Sequence, residues 1–213
     1  MQRHISRLGT AAAALMVALA ATVGVAIMVE SMRSSVSDWL QDLLNADLYI
    51  AAEGFADGTS LPPPVIAQAA RLDQVAAISV YRNRYVTLDG QRTRLIAAQL
   101  APPSRQGFDL LEQQAAGAWA GYDSGRIMIS EPLANRLGLR PGEGLAIPTP
   151  SGDIRFEVSA VFRDYASEHG RIFIDLAVYR SYWNDDRVDT LALFADEGQQ
   201  ALLQRAASER LAD

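Results

Sequence analysis

The 213-residue chain contains no cysteine and no lysine; its 19 basic residues are all arginine, against 25 acids, and its two histidines stand far apart at His4 and His169. The first absence excludes a disulfide framework, a thiolate zinc site and a cysteine nucleophile, the second excludes a phosphate-loop lysine and lysine Schiff-base chemistry, and two distant histidines argue against a multi-histidine metal site. From Glu30 onward 17 arginines face 25 acids, a net of −8, which is the wrong sign for a nucleic-acid partner.

The first element is the uncharged run "LGTAAAALMVALAATVGVAIMV", Leu8 to Val29. A secretion signal has an apolar core of about 7–15 residues, whereas a helix of roughly 22 residues spans about 33 Å, enough for the hydrocarbon core of a bilayer. Ala18-Leu19-Ala20 offers a cleavage site, but cutting there strands apolar Val23 to Val29 at a new N-terminus. Length therefore favours a retained span. Arg3, His4 and Arg7 precede it and no acid occurs before Glu30, so the positive-inside rule places the N-terminus in the cytoplasm and the rest outside. The small-residue pairs Gly9/Ala13, Ala14/Ala18 and Ala20/Gly24 suit close packing against other membrane helices, although heavy alanine usage alone produces the same pattern.

Beyond the span, Met32, Val36, Trp39, Leu40, Leu43 and Leu44 recur at three and four residues with polar residues between them, the periodicity of an amphipathic helix. No proline or glycine intervenes between Gly24 and Gly54. The pattern predicts one continuous helix from about Leu8 to Leu44, roughly 55 Å long, divided into a cytoplasmic N-terminus (1–7), a membrane span (8–29) and a stalk (30–45). The alternative is an ordinary surface helix that follows a span.

Residues 46–213 read as a mixed α and β exterior domain. "ADLYIAAEG" is a first strand, "GTSLPPP" a loop, and "PVIAQAARLD" a short helix with Pro64 near its start. Two strands flank the hairpin signal Asp89-Gly90. "RQGFDLLEQQAAGAW" is expected to be helical. "RIMISEPLANRLGLRPGEGLAI" predicts a strand, a helix capped by Ser130 and closed by Gly138, a turn at Pro141-Gly142, and another strand, which Ser151-Gly152 turns into "IRFEVSAVF". "RIFIDLAVYRSYW" adds a strand and a helix capped by Asp175, "DTLALFA" a last strand, and "GQQALLQRAASERLAD" a last helix. The proline-rich segment near 101–107 is the expected boundary between two subdomains.

The stretches "RHISRLGTAAAALMVALAATVGVAIMVESMRSSVSDWL", "ADLYI" and "ISEPLANRLGLRPGEGLAIPTPSGDIRFEVSAVFRDYASEHGRIFID" resemble an FtsX/MacB-like permease of the ABC transporters over nearly the whole chain. The resemblance implies an α+β fold: a membrane helix that continues into a stalk, then a periplasmic domain with a porter-like and a β-rich subdomain. It also implies an inner-membrane location, a separate ABC ATPase subunit on the cytoplasmic side, a second permease subunit or permease half, and a periplasmic or outer-membrane partner. The domain would couple ATP hydrolysis to export or extraction of a lipid, lipoprotein, peptide or similar cargo. No return span follows Asp213, so the chain reads as a fragment of a larger permease.

Two other classes compete. A periplasmic binding module, secreted after cleavage at Ala20 or held by the span, would work without any transporter. An enzyme would need a site, for which "RDYASEHG" offers Asp164, Glu168 and His169; their spacing and Gly170 suggest a solvated hairpin loop instead. "GYDSG" lacks the spacing of a nucleophile elbow, and Trp39, Trp119 and Trp183 read as packing residues. No catalytic, cofactor or metal residue is therefore assigned. The candidate functional residues are those of the stalk, Met32, Val36, Trp39, Leu40 and Leu43, as coupling residues of a rigid element that carries motion.

Overall fold

The computed structural model describes residues 2–43, 45–52, 59–165 and 167–210, and within the N-terminal helix the side chains of residues 12–35. The chain forms two compact units, Met1–Leu44 and Asn45–Asp213. The first is a single helix, α1 (Gln2–Leu43), unbroken through Gly24. Residues 12–35 are apolar and long enough to cross a membrane, and their side chains are exposed throughout. The hydroxyls in this stretch turn inward on the helix: Thr22 Oγ1 donates to the Ala18 carbonyl at 2.8 Å and Ser35 Oγ to the Ser31 carbonyl at 2.9 Å. These two hydroxyls are thereby satisfied within their own turns, as an apolar surrounding requires.

The second unit is a twisted mixed sheet with helices on both faces. Its elements are β1 (Leu48–Ala51), α2 (Pro63–Ala69), β2 (Val75–Leu88), β3 (Gln91–Gln99), α3 (Pro102–Gln106), β4 (Leu110–Gln113), α4 (Ala118–Asp123), β5 (Ile127–Ser130), α5 (Glu131–Leu137), β6 (Gly144–Thr149), β7 (Gly152–Phe162), β8 (Arg171–Asp175), α6 (Leu176–Trp183), β9 (Thr190–Ala195) and α7 (Gln200–Arg210). The strands order as β1-β9-β2-β3-β8-β5-β7-β4, with β6 hanging from β7 alone. Pairs β3–β8 and β5–β7 are parallel and the others antiparallel. Strand β7 serves twice: residues 152–157 form a hairpin with β6, and residues 158–162 enter the main sheet beside β5. The strands on both sides of residues 101–107 belong to this one sheet, and the segment itself forms α3.

Period-two alternation divides the core. Leu95 and Ala97 of β3, Ile127 and Ile129 of β5, and Ile172 and Ile174 of β8 face α5, α6 and the β6–β7 hairpin. Their neighbours Ile96, Ala98, Met128 and Phe173 face Tyr122 of α4 and the loop carrying Phe108. A third cluster joins Leu191 and Leu193 of β9 to Ala69 of α2 and to Leu203 and Ala207 of α7. Trp183 stacks on Tyr179 at 4.9 Å and Trp119 meets Phe108 edge-on at 5.2 Å, so both are packing residues.

Local signals hold where they concern turns and caps. Asp89 and Gly90 both take positive φ (50° and 74°), the conformation a two-residue hairpin turn demands. Asp175 accepts from the Ala177 and Val178 amides at the start of α6. Gly170 has φ 76° and sits so close to α5 that an added Cβ would lie 2.8 Å from the Leu133 nitrogen. Two expectations are corrected. "RQGFDLLEQQAAGAW" is not one helix: α3 ends at Gln106, Leu110–Gln113 pairs with the free edge of β7, and α4 begins only at Ala118. The open edge of β7 offers those four residues backbone partners that override their helical preference. Ser130 stands at the N-cap of α5 with extended backbone, but its Oγ makes no cap bond; it accepts from the Arg171 amide at 2.8 Å across the sheet.

A buried ion-pair network fixes the loop before β9. Arg82 Nε donates to Asp185 at 3.0 Å and its NH1 binds Asp189, while Tyr179 OH and Arg187 donate to the same Asp185 carboxylate. Burial alone would raise the Asp185 pKa, but the hydrogen bonds from Arg187 and Tyr179 and the charge of Arg82 together hold it far below the usual carboxylate range. An unfolded aspartate titrates near pH 3.9, so the stabilisation is complete above that value and is lost as the pH falls through the depressed native pKa. Asp185→Asn is expected to cost about 3 kcal/mol at pH 7, because it removes the carboxylate that Arg82 and Arg187 share and leaves buried Arg82 with Asp189 as its one charged partner among the described residues. In urea titrations followed by tryptophan fluorescence, the gap between variant and wild type should stay constant from pH 7 to about pH 4 and close below it. A gap that closes above pH 5 would contradict the assignment.

Candidate functional site

Of the five stalk residues, Met32 has a described side chain, and it is exposed on α1. Val36, Trp39, Leu40 and Leu43 lie within the helical span of α1, with side chains outside the described residues, as is that of His4. Residues 45–47 begin the second unit and are fully described; Asn45, expected at the end of the stalk, belongs to this unit, and Ala46 and Asp47, expected in the first strand, precede β1. Asn45 Nδ2 donates to the Pro103 carbonyl at 2.9 Å, which ties the start of the unit to α3. Asp47 grips β9 at two points: its amide donates to the Leu193 carbonyl at 3.1 Å, and its Oδ2 accepts the Ala195 amide at 2.8 Å. The Leu48↔Leu193 pair then starts the β1–β9 ladder. The only trace of this clamp in the sequence is an Asn and an Asp just before a β-rich run, a pattern shared by many loops.

The acid-base cluster does not assemble. Glu168 and His169 are exposed in a turn. Asp164, expected in a solvated loop, is instead buried: its side chain is fully covered and receives Arg171 Nε at 2.7 Å and a second contact from NH2 of the same guanidinium. A charged loop residue can be buried here because a strand arginine supplies its full counter-charge, a partner seven positions away that spacing alone does not reveal. Ser124 of "GYDSG" closes α4, with Oγ donating to the Gly121 carbonyl. Tyr122 OH reaches the carbonyls of Ala98 and Ile174 at 2.7 and 2.9 Å, and burial holds the phenol well above its ordinary pKa, neutral and structural. Among the described residues no group of three or more His, Asp or Glu side chains is placed to hold a metal ion. The arrangement is therefore built to join and hold segments, with its polar groups spent on one another.

Residues 8–210 match the family described as the MacB-like periplasmic core domain. An uncharacterized ABC transporter permease protein of Mycobacterium tuberculosis is 31% identical over 204 residues, which cover 92% of this chain and 24% of that protein; the chain thus spans about a quarter of the relative's length. The fold is similar to the crystal structure of the periplasmic region of MacB from Actinobacillus actinomycetemcomitans (TM-score 0.56, 10% identity, 76% of this chain and 80% of that one). It is also similar to the extracellular domain of the noncanonic ABC-type transporter YknZ from Gram-positive bacteria (TM-score 0.52, 12% identity, 77% and 93%).

The clamp at Asp47 makes a direct prediction. Asp47→Ala removes the acceptor of the Ala195 amide and is expected to cost about 1–2 kcal/mol. Hydrogen exchange read by mass spectrometry should show faster exchange in peptides covering β1 and the end of β9, with those covering β5 and β8 unchanged. Unchanged exchange in β1 and β9 would mean that the clamp is ornamental.

Proposed function

The chain belongs to the MacB-like periplasmic core domain family, and from that premise we propose that it is a segment of an ABC transporter permease whose domain moves with the membrane helix before it. The supporting observation is α1, 42 residues without a break. At 1.5 Å per residue it measures about 63 Å, roughly twice the hydrocarbon thickness of a bilayer. A helix of that length with apolar residues 12–35 can cross the inner membrane and still extend several turns beyond it. In this reading residues 1–7 face the cytoplasm, as Arg3, His4 and Arg7 favour, and Asn45–Asp213 is periplasmic.

ATP is hydrolysed in the proposal by a separate subunit, since this chain has no lysine for a phosphate loop. A second permease subunit or half completes the membrane part, and a periplasmic or outer-membrane partner receives the cargo, a lipid, lipoprotein, peptide or similar molecule. Motion on the cytoplasmic side would pass along α1, with Met32, Val36, Trp39, Leu40 and Leu43 as coupling residues, and into the sheet at Asn45 and Asp47. A helix without a kink-forming residue transmits displacement because kinking it sharply would interrupt its i→i−4 hydrogen bonds.

Replacing Ser34 and Ser35 together with proline tests the proposal in the complete transporter. The change removes two helical N–H donors and clashes with the preceding turn, at roughly 3 kcal/mol each. Basal ATP hydrolysis and membrane insertion are expected to persist while export, or stimulation of the ATPase by cargo, is lost. The paired alanine variant keeps the helix and should export near the wild-type rate. Normal export by the proline pair would show that α1 does not transmit the motion.

A further inference from the structure

The sheet face that carries Ile96 and Phe173 ends in a polar row where β2, β3 and β8 run side by side. Tyr85 opposes Arg94, and Arg94 opposes Arg171, so their side chains leave the same face on strands about 4.8 Å apart. Arg171 is committed to the buried Asp164 carboxylate. Arg94 has no such partner: its Nε donates to Asn83 Oδ1 at 3.1 Å, and no carboxylate lies within ion-pair distance of it among the described residues. Both terminal nitrogens of Arg94, and the Nδ2 donor of Asn83, make no protein hydrogen bond among those residues.

Arg94 and Arg171 bring two positive charges to adjacent strands; Asp164 is in direct ion-pair contact with Arg171, and Arg94 feels Asp164 and Asp189 only from beyond contact distance. Arg94 is half-buried; burial first, and the Arg171 charge with it, lower its pKa against the opposing pull of Tyr85, Asp164 and Asp189. Arg92, two residues away on the same face, lays its guanidinium over the Tyr85 ring at 3.9 Å and lends further positive potential beside the site. The Asn83 side chain is fixed by the bond to Arg94, and its backbone amide is held by Asp189, so the donors are oriented before anything binds.

We propose that Arg94 and Asn83 form a binding site for a phosphate-class oxyanion. A guanidinium presents two parallel N–H donors to two oxygens, and the Asn83 amide adds a third donor suited to another oxygen of a tetrahedral anion. The same group occurs in free phosphate and in the head group of an acidic phospholipid. The inference stands independently of the transport reading, since it concerns binding alone.

Calorimetric titration of the full chain in detergent micelles with inorganic phosphate tests the free anion. The same chain in phosphatidylcholine nanodiscs, titrated with short-chain phosphatidic acid, tests the head group. Saturable binding in either arm that Arg94→Gln weakens by at least about tenfold, or 1.4 kcal/mol, supports the site, and the arm that responds names the source. Asn83→Asp places a carboxylate against Arg94 as a built-in competitor. It should abolish the response while the melting temperature stays at or above that of wild type, which separates a lost site from a lost fold. No saturation in either arm, wild-type affinity in Arg94→Gln, or wild-type affinity in a folded Asn83→Asp protein would overturn the proposal.

Discussion

β9 is hydrogen-bonded to β1 on one edge and to β2 on the other, and the Asn45–Asp213 unit depends on that insertion. A strand near the C-terminal end of the unit thereby closes the sheet beside the strand that begins it. Such pairing incurs the loop-closure entropy of nearly the whole unit before it forms a contact. The compensation is visible in what β9 buries: Leu191, Ala192 and Leu193 are almost completely covered, and the two leucines join α2 and α7 in the third apolar cluster. The Arg82, Asp185 and Asp189 network holds the preceding loop so that β9 enters in register, and Asp47 holds its far end. Removing β9 would leave β1 with no neighbour in the sheet and α7 with no surface to cover.

That closure explains which parts of the structure could be read from the sequence. Elements governed by short-range chemistry were legible: the Asp89-Gly90 turn, the Asp175 cap, the Pro64-led helix and the alternating strands are decided by φ preferences and by donors within four residues. Elements governed by distant partners were not. Leu110–Gln113 becomes a strand because β7 leaves an edge open, Ser130 abandons its cap for the Arg171 amide, and Asp164 is buried because a strand arginine meets it. The same limit hid the contacts of Asn45 and Asp47, whose partners Pro103, Leu193 and Ala195 only the assembled sheet brings near.

The family, the long helix and the clamp bear on one another. A fold shared at 10–12% identity with two transporter domains retains its architecture through patterning, since burial and alternation can be met by many sequences. Under the proposed transmission, Asn45 and Asp47 are where displacement would enter the sheet. A terminal strand tied to its neighbour only by backbone ladders would fray under load; β1 is short, and the Asp47 carboxylate and amide reinforce its first turn of ladder. The side-chain bond from Asn45 reaches a different element, α3, so that the start of the unit is tied at two points.

The proposed transmission carries displacement from α1 into the domain that follows it in the chain. Its most direct measurement inserts three glycines between residues 44 and 45 of the complete transporter, at the junction of the two compact units, and compares cargo export per ATP hydrolysed with that of the wild type. Glycine restores the conformational freedom that a helix removes while leaving each unit intact. The account predicts that ATP hydrolysis continues and export per ATP falls to background. Export per ATP at the wild-type level, in a protein whose β1 and β9 amides remain protected, would contradict it.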